Sequence, residues 1–244
     1  MRYLLSSASR PVLARLALEQ TLCAFDFDGT LAPIVQRPDL AVMRPSTRDR
    51  LARLAQLFPC VVLSGRARAD LLPKLEGIPV RGIIGNHGRE FEGAPARNAR
   101  VALWKCAVSK RLEDTRGVWV EDKGLSLAVH YRQAPQRQLA RRRIFEATHD
   151  LEGARIFGGK AVVNLVEAGA PNKGTALAAE RDRLGCSWVL YVGDDENDED
   201  AFRIGGNLVA VRIGRKQKSH AGFYLHTQSE IDSLLDALIR FRQE

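Results

Sequence analysis

Leu22-Cys23-Ala24-Phe25-Asp26-Phe27-Asp28-Gly29-Thr30-Leu31 is an apolar run that ends in two carboxylates and a glycine. A continuous apolar run of this length reads as a strand buried on both faces, the kind found in parallel sheets. Residues 22–27 are taken as that strand. In a strand, residues i and i+2 point the same way. Asp26 and Asp28 are therefore expected to aim past its carboxyl edge, where open α/β sheets bind ligands. Working outward, Cys60–Leu63, 81–84, 188–192 and Leu208–Ile213 repeat the apolar character. Helical patterns alternate with them. One carries Leu51, Leu54, Ala55 and Phe58 behind a Ser46/Asp49 cap; others span 67–75 and 174–184. The last helix is expected to open with a Thr227/Glu230 capping box and to bury Ile231, Leu234, Leu235, Leu238 and Ile239 on one stripe. Strands alternating with helices predict an α/β fold whose parallel sheet is covered on both faces.

The middle of the chain changes period. Residues 118–122 and 125–132 read as strands joined by Lys123-Gly124, a hairpin signal. Leu125, Leu127, Val129 and Tyr131 alternate with Ser126, Ala128, His130 and Arg132, so the second face is expected to be exposed or functional. A helix over 137–149 follows, then a second hairpin of 154–157 and 161–166 around Gly158-Gly159. Hairpins plus a helix inside an α/β chain predict a small inserted α+β domain at 90–165, between core parts 1–89 and 166–244. Hinges are expected at 93–98 and 168–172.

The 244 residues are 45% hydrophobic and 27% charged, with a net charge of +8. This composition excludes disorder as the main state. Four cysteines are too sparse for a disulfide scaffold. No apolar run reaches the ~18 residues of a membrane span. The first 20 residues, interrupted by Ser9, Arg10, Pro11 and Arg15, lack a signal-peptide core and read as a leader followed by a short helix. The expected location is cytoplasmic. The positive charge admits nucleic acid, an anionic membrane surface or an anionic small substrate. The one dense basic run, Arg141-Arg142-Arg143, reads as a solvated helix face, and no nucleic-acid motif is present. Neither a nucleic-acid nor a membrane partner is expected.

Two carboxylates closing an apolar strand are costly to bury unpaired. A divalent cation such as Mg²⁺, which takes oxygen ligands, offsets that cost. A second acidic cluster, Asp194-Asp195-Glu196-Asn197-Asp198-Glu199-Asp200, also follows an apolar strand, and its members repel unless neutralised. Asp194, directly after the strand, reads as the first metal ligand and Asp198 as the second. Acids at 196, 199 and 200 suit the start of a helix. Ser64-Gly65-Arg66 ends a strand and opens a helix, a favourable place for phosphate, and Lys173 starts another helix. Each alone is a common turn. Together they make a nucleophile, an acid/base, a hydroxyl, a lysine and a distal acid at the ends of one sheet's elements.

The ordered motifs DFDGTL at 26–31, Ser64, Lys173 and GDD at 193–195 resemble, over the whole chain, those of the haloacid dehalogenase (HAD) superfamily of phosphohydrolases. The resemblance implies an α/β fold with a Rossmann-like parallel-sheet core and an inserted smaller α+β cap domain. It implies Asp26 as a nucleophile that forms an aspartyl-phosphate, and Asp28 as the acid for the leaving alcohol and then the base for water. It implies Mg²⁺ on the Asp26 carboxylate, the Asp28 carbonyl and Asp194, with Thr30, Ser64 and Lys173 on the phosphoryl oxygens. An Asn at position 28 would suit a dehalogenase; Asp28 provides the proton that an ester's alkoxide needs.

Within the superfamily the chain is similar to the trehalose-6-phosphate phosphatases. The likeness rests on DFDGTLAPI at 26–34, Ser64-Gly65-Arg66, Gly85-Asn86-His87-Gly88, Glu121-Asp122-Lys123 with His130-Tyr131-Arg132, and Asn172-Lys173-Gly174. It implies a small sugar phosphate as partner and substrate contacts at Gly65, Arg66, Asn86, His87, Glu121, Lys123 and Asn164; a monomer is expected, although the sequence does not fix the oligomeric state. Two positions depart from that family's pattern. Asn197 stands where it has Thr; Asn164 and Val166 stand where it has Glu and, two residues on, Arg. Asn both donates and accepts, so it can still hold a hydroxyl. Glu167 is a substitute carboxylate on the opposite side of the strand. The alternatives are another sugar phosphate such as sucrose 6-phosphate or mannosyl-3-phosphoglycerate, a mutase, a non-catalytic sugar-phosphate sensor, and a nucleic-acid-binding module.

Overall fold

The computed structural model describes residues 1–35, 37–94 and 97–244. Two compact units make up the chain: Met1–Phe91 with Asn172–Glu244, and Glu92–Pro171. The first is built on a seven-stranded sheet of β1 (Arg2–Tyr3), β2 (Thr21–Phe25), β3 (Cys60–Leu63), β4 (Gly82–Ile84), β9 (Trp188–Gly193), β10 (Leu208–Ile213) and β11 (Phe223–Leu225). Their order is β1-β11-β10-β9-β2-β3-β4, and every pairing is parallel.

The strands are apolar throughout because both faces are covered. Cys23, Phe25, Leu190, Val192, Val209 and Val211 pack on one side with residues of α1 (Arg10–Leu18), α2 (Pro45–Leu57), α3 (Arg68–Leu75) and α7 (Ile231–Gln243). Leu22, Ala24, Val61, Leu63, Val189 and Tyr191 pack on the other with Leu177 of α6 (Lys173–Arg183) and with Phe202. The expected stripe Ile231, Leu234, Leu235, Leu238 and Ile239 is wholly buried.

The strand order reverses at β2. Chain order runs from β2 out to β4, then returns to β9 on the other side of β2. Such a switch point leaves a crevice at the carboxyl ends of β2 and β9, where ligands bind in doubly wound sheets.

The second unit is an antiparallel sheet of β5 (Trp119–Asp122), β6 (Ser126–His130), β7 (Ala154–Gly159) and β8 (Val162–Glu167), ordered β5-β6-β8-β7. One face carries Leu127, Val129, Val163 and Leu165. These pack with Val101, Trp104 and Val108 of α4 (Ala99–Arg111) and Ala140, Ile144 and Ala147 of α5 (Arg137–Thr148). Of the expected hinge segments, residues 95 and 96 of 93–98 lie outside the described residues. No helix among the described residues is long and apolar enough to cross a membrane.

Several local expectations are corrected. The residues expected to precede the fold are part of it: Arg2 and Tyr3 pair with Phe223 and Tyr224 as the sheet's edge strand, and Leu4 is buried. A two-residue strand is too short to show periodicity. Helix α4 is absent from the sequence reading, although Val101, Trp104 and Val108 lie at helical spacing and Asn98 caps it by accepting from the Arg100 amide. Neither expected cap forms. Helix α2 starts at Pro45 without a side-chain cap, and Ser46 donates instead to Asp232 at 2.7 Å. Glu230 accepts from the His226 amide and the Tyr3 hydroxyl, and the Thr227 side chain makes no cap hydrogen bond. The 158–159 turn is displaced: both glycines are in β7, and the reversal falls at Lys160 and Ala161, the latter left-handed at φ 63°. Ser126 and Ala128 are buried rather than exposed. Their strand is an inner one, and these small side chains sit between longer register partners such as Glu121 and Asn164.

Candidate active site

Strand β2 ends at Phe25, so Asp26 and Asp28 lie beyond it. The Asp26 amide donates to Val192 across to β9 at 2.9 Å. Its side chain is buried, and Oδ1 accepts from Lys173 Nζ at 2.6 Å. Asp28 is half-buried, and both its oxygens accept from Arg66, Nε and Nη2 each at 2.7 Å. Gly29 makes the turn possible. Its φ of 86° favours glycine, and a Cβ there would overlap the Asp194 carboxylate.

Lys173 is the first residue of α6. Asn172 caps the helix in a reciprocal capping box with Thr175, so the chain enters it at a fixed angle. The buried ammonium bridges Asp26 and Asp198, each at 2.6 Å. Asp198 closes a small network. Oδ1 accepts from Lys173 and from the Tyr191 hydroxyl at 2.7 Å, and Oδ2 accepts from the amides of Asp194 and Asp195, each at 2.8 Å. Asp195 caps the 3₁₀ turn at Glu196–Glu199. From β10, Arg212 donates to the carbonyls of Asp194 at 2.6 Å and Asp195 at 3.0 Å.

Asp26, Asp194 and Asp198 are all buried, with carboxylate oxygens within 4.8 Å of one another. Lys173 bridges two of these three carboxylates, Asp26 and Asp198, and their negative charge exceeds its single positive charge when all are ionised. Burial opposes the Lys173 charge, but Asp198 and Asp26 outweigh it and hold the ammonium above its usual range. Burial also opposes Asp198, yet Lys173 and the donated hydrogen bonds hold it below the ordinary carboxylate value. The uncompensated charge falls on Asp26. Burial pushes it well above that value, Lys173 lowers it without restoring it, and Asp198 and Asp194 raise it further. An all-oxygen, anionic donor set with this excess fits a hard divalent cation.

The remaining core residues form a pair of stitched loops. Ser64 is buried, and its hydroxyl accepts from the Arg66 amide at 3.2 Å. The amides of Asn86 and His87 donate to the carbonyls of Arg66 at 2.6 Å and Ser64 at 2.9 Å. Gly65 permits the approach, because a Cβ there would overlap the His87 ring. Asn86 and His87 are both left-handed, at φ 48° and 60°, a strained pair of the kind that clusters at functional sites. The Asn86 side-chain Nδ2 donates to Glu90 Oε2 at 2.6 Å. His87 Nδ1 lies 3.3 Å from Asn197 Nδ2. Thr30 Oγ1 and Asn197 Oδ1 are buried with no hydrogen-bond partner among the described residues, which is costly unless a ligand or water fills the role.

In the second unit, Glu121, Ala128, Asn164 and Phe157 are successive register partners across all four strands, on the face away from the helices. Glu121 bonds His130 Nε2 at 2.7 Å and lies 3.8 Å from Lys123 Nζ. Trp119 stacks on the His130 ring at 4.0 Å. Glu167 accepts from Asn98 Nδ2 at 2.9 Å and Arg100 Nη1 at 3.2 Å.

The structure thus gathers Asp26, Lys173, Asp194 and Asp198 at one point, sets Asp28 with Arg66, and puts Glu121 and Asn164 in one row of the second unit. Tyr191 and Arg212 were not singled out from sequence. Their signals are one hydroxyl in the apolar strand 188–193 and one cation in Leu208–Ile213.

The trehalose-phosphatase family model matches residues 24–229. The chain belongs to the trehalose-phosphatase family. It is 35% identical over 210 residues to the trehalose-phosphate phosphatase of Mycobacterium tuberculosis strain H37Rv, covering 78% of this chain and 53% of that protein. It is 27% identical over 255 residues to the probable trehalose-phosphate phosphatase D of Arabidopsis thaliana, covering 92% and 69%. The chain therefore spans about half the length of the mycobacterial relative. Its fold resembles that of the C-terminal domain of Candida albicans trehalose-6-phosphate phosphatase, at TM-score 0.81 and 22% identity over 95% of this chain and 97% of that one. A phosphatase of the HAD superfamily from Bacteroides thetaiotaomicron shares the fold at TM-score 0.65 and 18% identity, over 91% and 95%. The chain thus has a HAD-like fold with an antiparallel insert.

Proposed function

We propose that this chain is a Mg²⁺-dependent phosphatase that hydrolyses trehalose 6-phosphate to trehalose and inorganic phosphate. The observation that carries the reading is Asp26, buried at the switch point, bonded to a buried lysine, and left with charge that a divalent cation would offset. Asp26 and Asp194 would hold Mg²⁺, with the Asp28 carbonyl; bound there, it would supply positive charge to phosphoryl oxygens. Asp198, the second ligand expected from the sequence, completes the acidic cluster, and with four donors on its oxygens it would also hold Lys173 and the 194–195 backbone in place.

In the proposed reaction, a carboxylate oxygen of Asp26 attacks phosphorus. The P–O bond to the sugar breaks, and the leaving oxygen takes a proton from the Asp28 carboxyl. Water then attacks the aspartyl-phosphate, giving its proton to Asp28 as the Asp26–phosphorus bond breaks. Lys173 and the Thr30 and Ser64 hydroxyls serve the phosphoryl oxygens; the unpartnered Thr30 hydroxyl supports that role. Pre-placed charge of this kind reduces the repulsion between carboxylate and phosphate.

We propose further that the inserted unit is a cap domain whose Glu121, Lys123 and Asn164 read the sugar. One chain provides every residue in this scheme, so a cytoplasmic monomer suffices. The Asn164 and Val166 departures favour one second reading, a different sugar phosphate on the same catalytic centre. Phosphate release with and without Mg²⁺ across trehalose 6-phosphate, glucose 6-phosphate, sucrose 6-phosphate and mannosyl-3-phosphoglycerate tests both. A Mg²⁺-dependent preference for trehalose 6-phosphate is expected. Preference for another ester moves the error to the insert, and silence on all of them favours a sensor. Lys123→Ala should cost more with the preferred sugar phosphate than with an aryl phosphate; equal losses would remove Lys123 from sugar recognition.

A further inference from the structure

Arg66 was expected to contact substrate, yet its guanidinium is turned onto Asp28. Nε and Nη2 each meet one carboxylate oxygen at 2.7 Å, in a fork-to-fork pairing. The arginine side chain is 9% exposed and that of Asp28 33%. The guanidinium also lies over the Phe27 ring, 5.6 Å from its centroid. Its backbone is anchored at both ends: the amide donates to Ser64 Oγ at 3.2 Å, and the carbonyl accepts from the Asn86 amide at 2.6 Å. A rigid loop therefore carries a planar fork to a carboxylate in a turn. Bidentate pairing fixes the plane of the carboxylate as well as its position.

We infer that Arg66 is a positioning residue that aims the Asp28 carboxyl at the leaving oxygen, rather than a clamp on the phosphate. This rests on the reading of Asp28 as acid and base. Proton transfer requires the carboxyl within hydrogen-bond reach of the departing oxygen, and small losses of alignment are expensive in rate. Without the fork, a one-third-exposed aspartate samples other rotamers. The loss should then scale with how badly the leaving group needs a proton.

The test uses phenyl, 4-nitrophenyl and 2,4-dinitrophenyl phosphate, small esters whose leaving groups need progressively less help and which carry no sugar. Arg66→Met keeps the stem over Phe27 and removes the fork; Arg66→Lys keeps a charge and is the second variant if the first is poorly folded. In both, kcat on phenyl phosphate should fall at least ~10-fold more than on 2,4-dinitrophenyl phosphate, within the ~10²–10⁴-fold range of acid catalysis, with KM nearly constant. In an Asp28→Asn background, Arg66→Met should add no further leaving-group dependence. Equal losses on all three esters, a rise in KM alone, or additive effects in the double variant would overturn the inference and make Arg66 a phosphate clamp. A wild-type chain that releases phosphate from none of the esters with Mg²⁺ present would overturn the phosphatase reading, and this inference with it.

Discussion

Burial pushes the Asp26 carboxyl well above the ordinary value, and Asp198 and Asp194 add to the shift against the opposing pull of Lys173. A carboxyl whose folded value is raised costs stability when ionised. That cost shrinks as pH falls through the folded value and is gone only below the ordinary carboxylate value of the unfolded chain. Asp26→Asn should therefore abolish phosphate release while raising the melting temperature of the metal-free protein. Each ~1 kcal/mol gained corresponds to about 2–4 °C in a chain of this size. With Mg²⁺ present the gain should shrink or reverse, because the wild-type carboxylate then has its counter-ion. Melts at pH 7 with Mg²⁺ and with EDTA check this; an identical shift in both would remove Asp26 from the cation site. Tyr191 bonds the same network from inside the sheet. Removing a buried hydrogen bond to a charged group costs about 1.5–3 kcal/mol. Tyr191→Phe should lower the urea midpoint by that equivalent, with the ordinary fold retained by circular dichroism.

At the scale of elements, helices α2 and α7 are tied by polar groups as well as by their apolar stripes. Asp232 in the first turn of α7 accepts from Ser46 at 2.7 Å and from buried Thr47 at 2.5 Å. It also pairs with Arg44 at 3.4 Å. One acid serves the exposed start of α2, which has no side-chain cap of its own, and sits where the α7 dipole favours negative charge. Asp232→Ala leaves the Thr47 hydroxyl buried without that acceptor. A loss of about 1–3 kcal/mol is expected, and Ser46→Ala should cost less because Ser46 is only partly buried. Urea unfolding of the two variants measures the difference; equal small losses would make the tie incidental.

Over the whole molecule, each unit has its own apolar core. The insert packs one sheet face on two helices, with Leu165 fully buried among them. Leu165→Ala should cost about 2–5 kcal/mol locally. Hydrogen exchange is expected to accelerate across Glu92–Pro171 while Met1–Phe91 and Asn172–Glu244 keep their protection. Loss of protection in both units together would show a single cooperative fold.

Much of this was legible in the sequence, because burial and turn chemistry act over short spans. The apolar runs located the strands from β2 to β10 that carry the sheet, the change of period marked the insert, and the stripe of α7 follows from its 3.6-residue repeat. The carboxylate-bearing turns after β2 and β9 were readable for the same reason: charges ending apolar runs are local facts. Tertiary structure alone decided who answers those charges. Asp26 meets Lys173 from 147 positions away, and Ser46 meets Asp232 from 186, so no window of neighbouring residues contains either pair. Asp26 and Asp28, two residues apart beyond the end of β2, take different partners, Lys173 and Arg66. Buried polar groups take whichever partner the packed layers bring within ~3 Å, and that choice belongs to the fold rather than to the local chain.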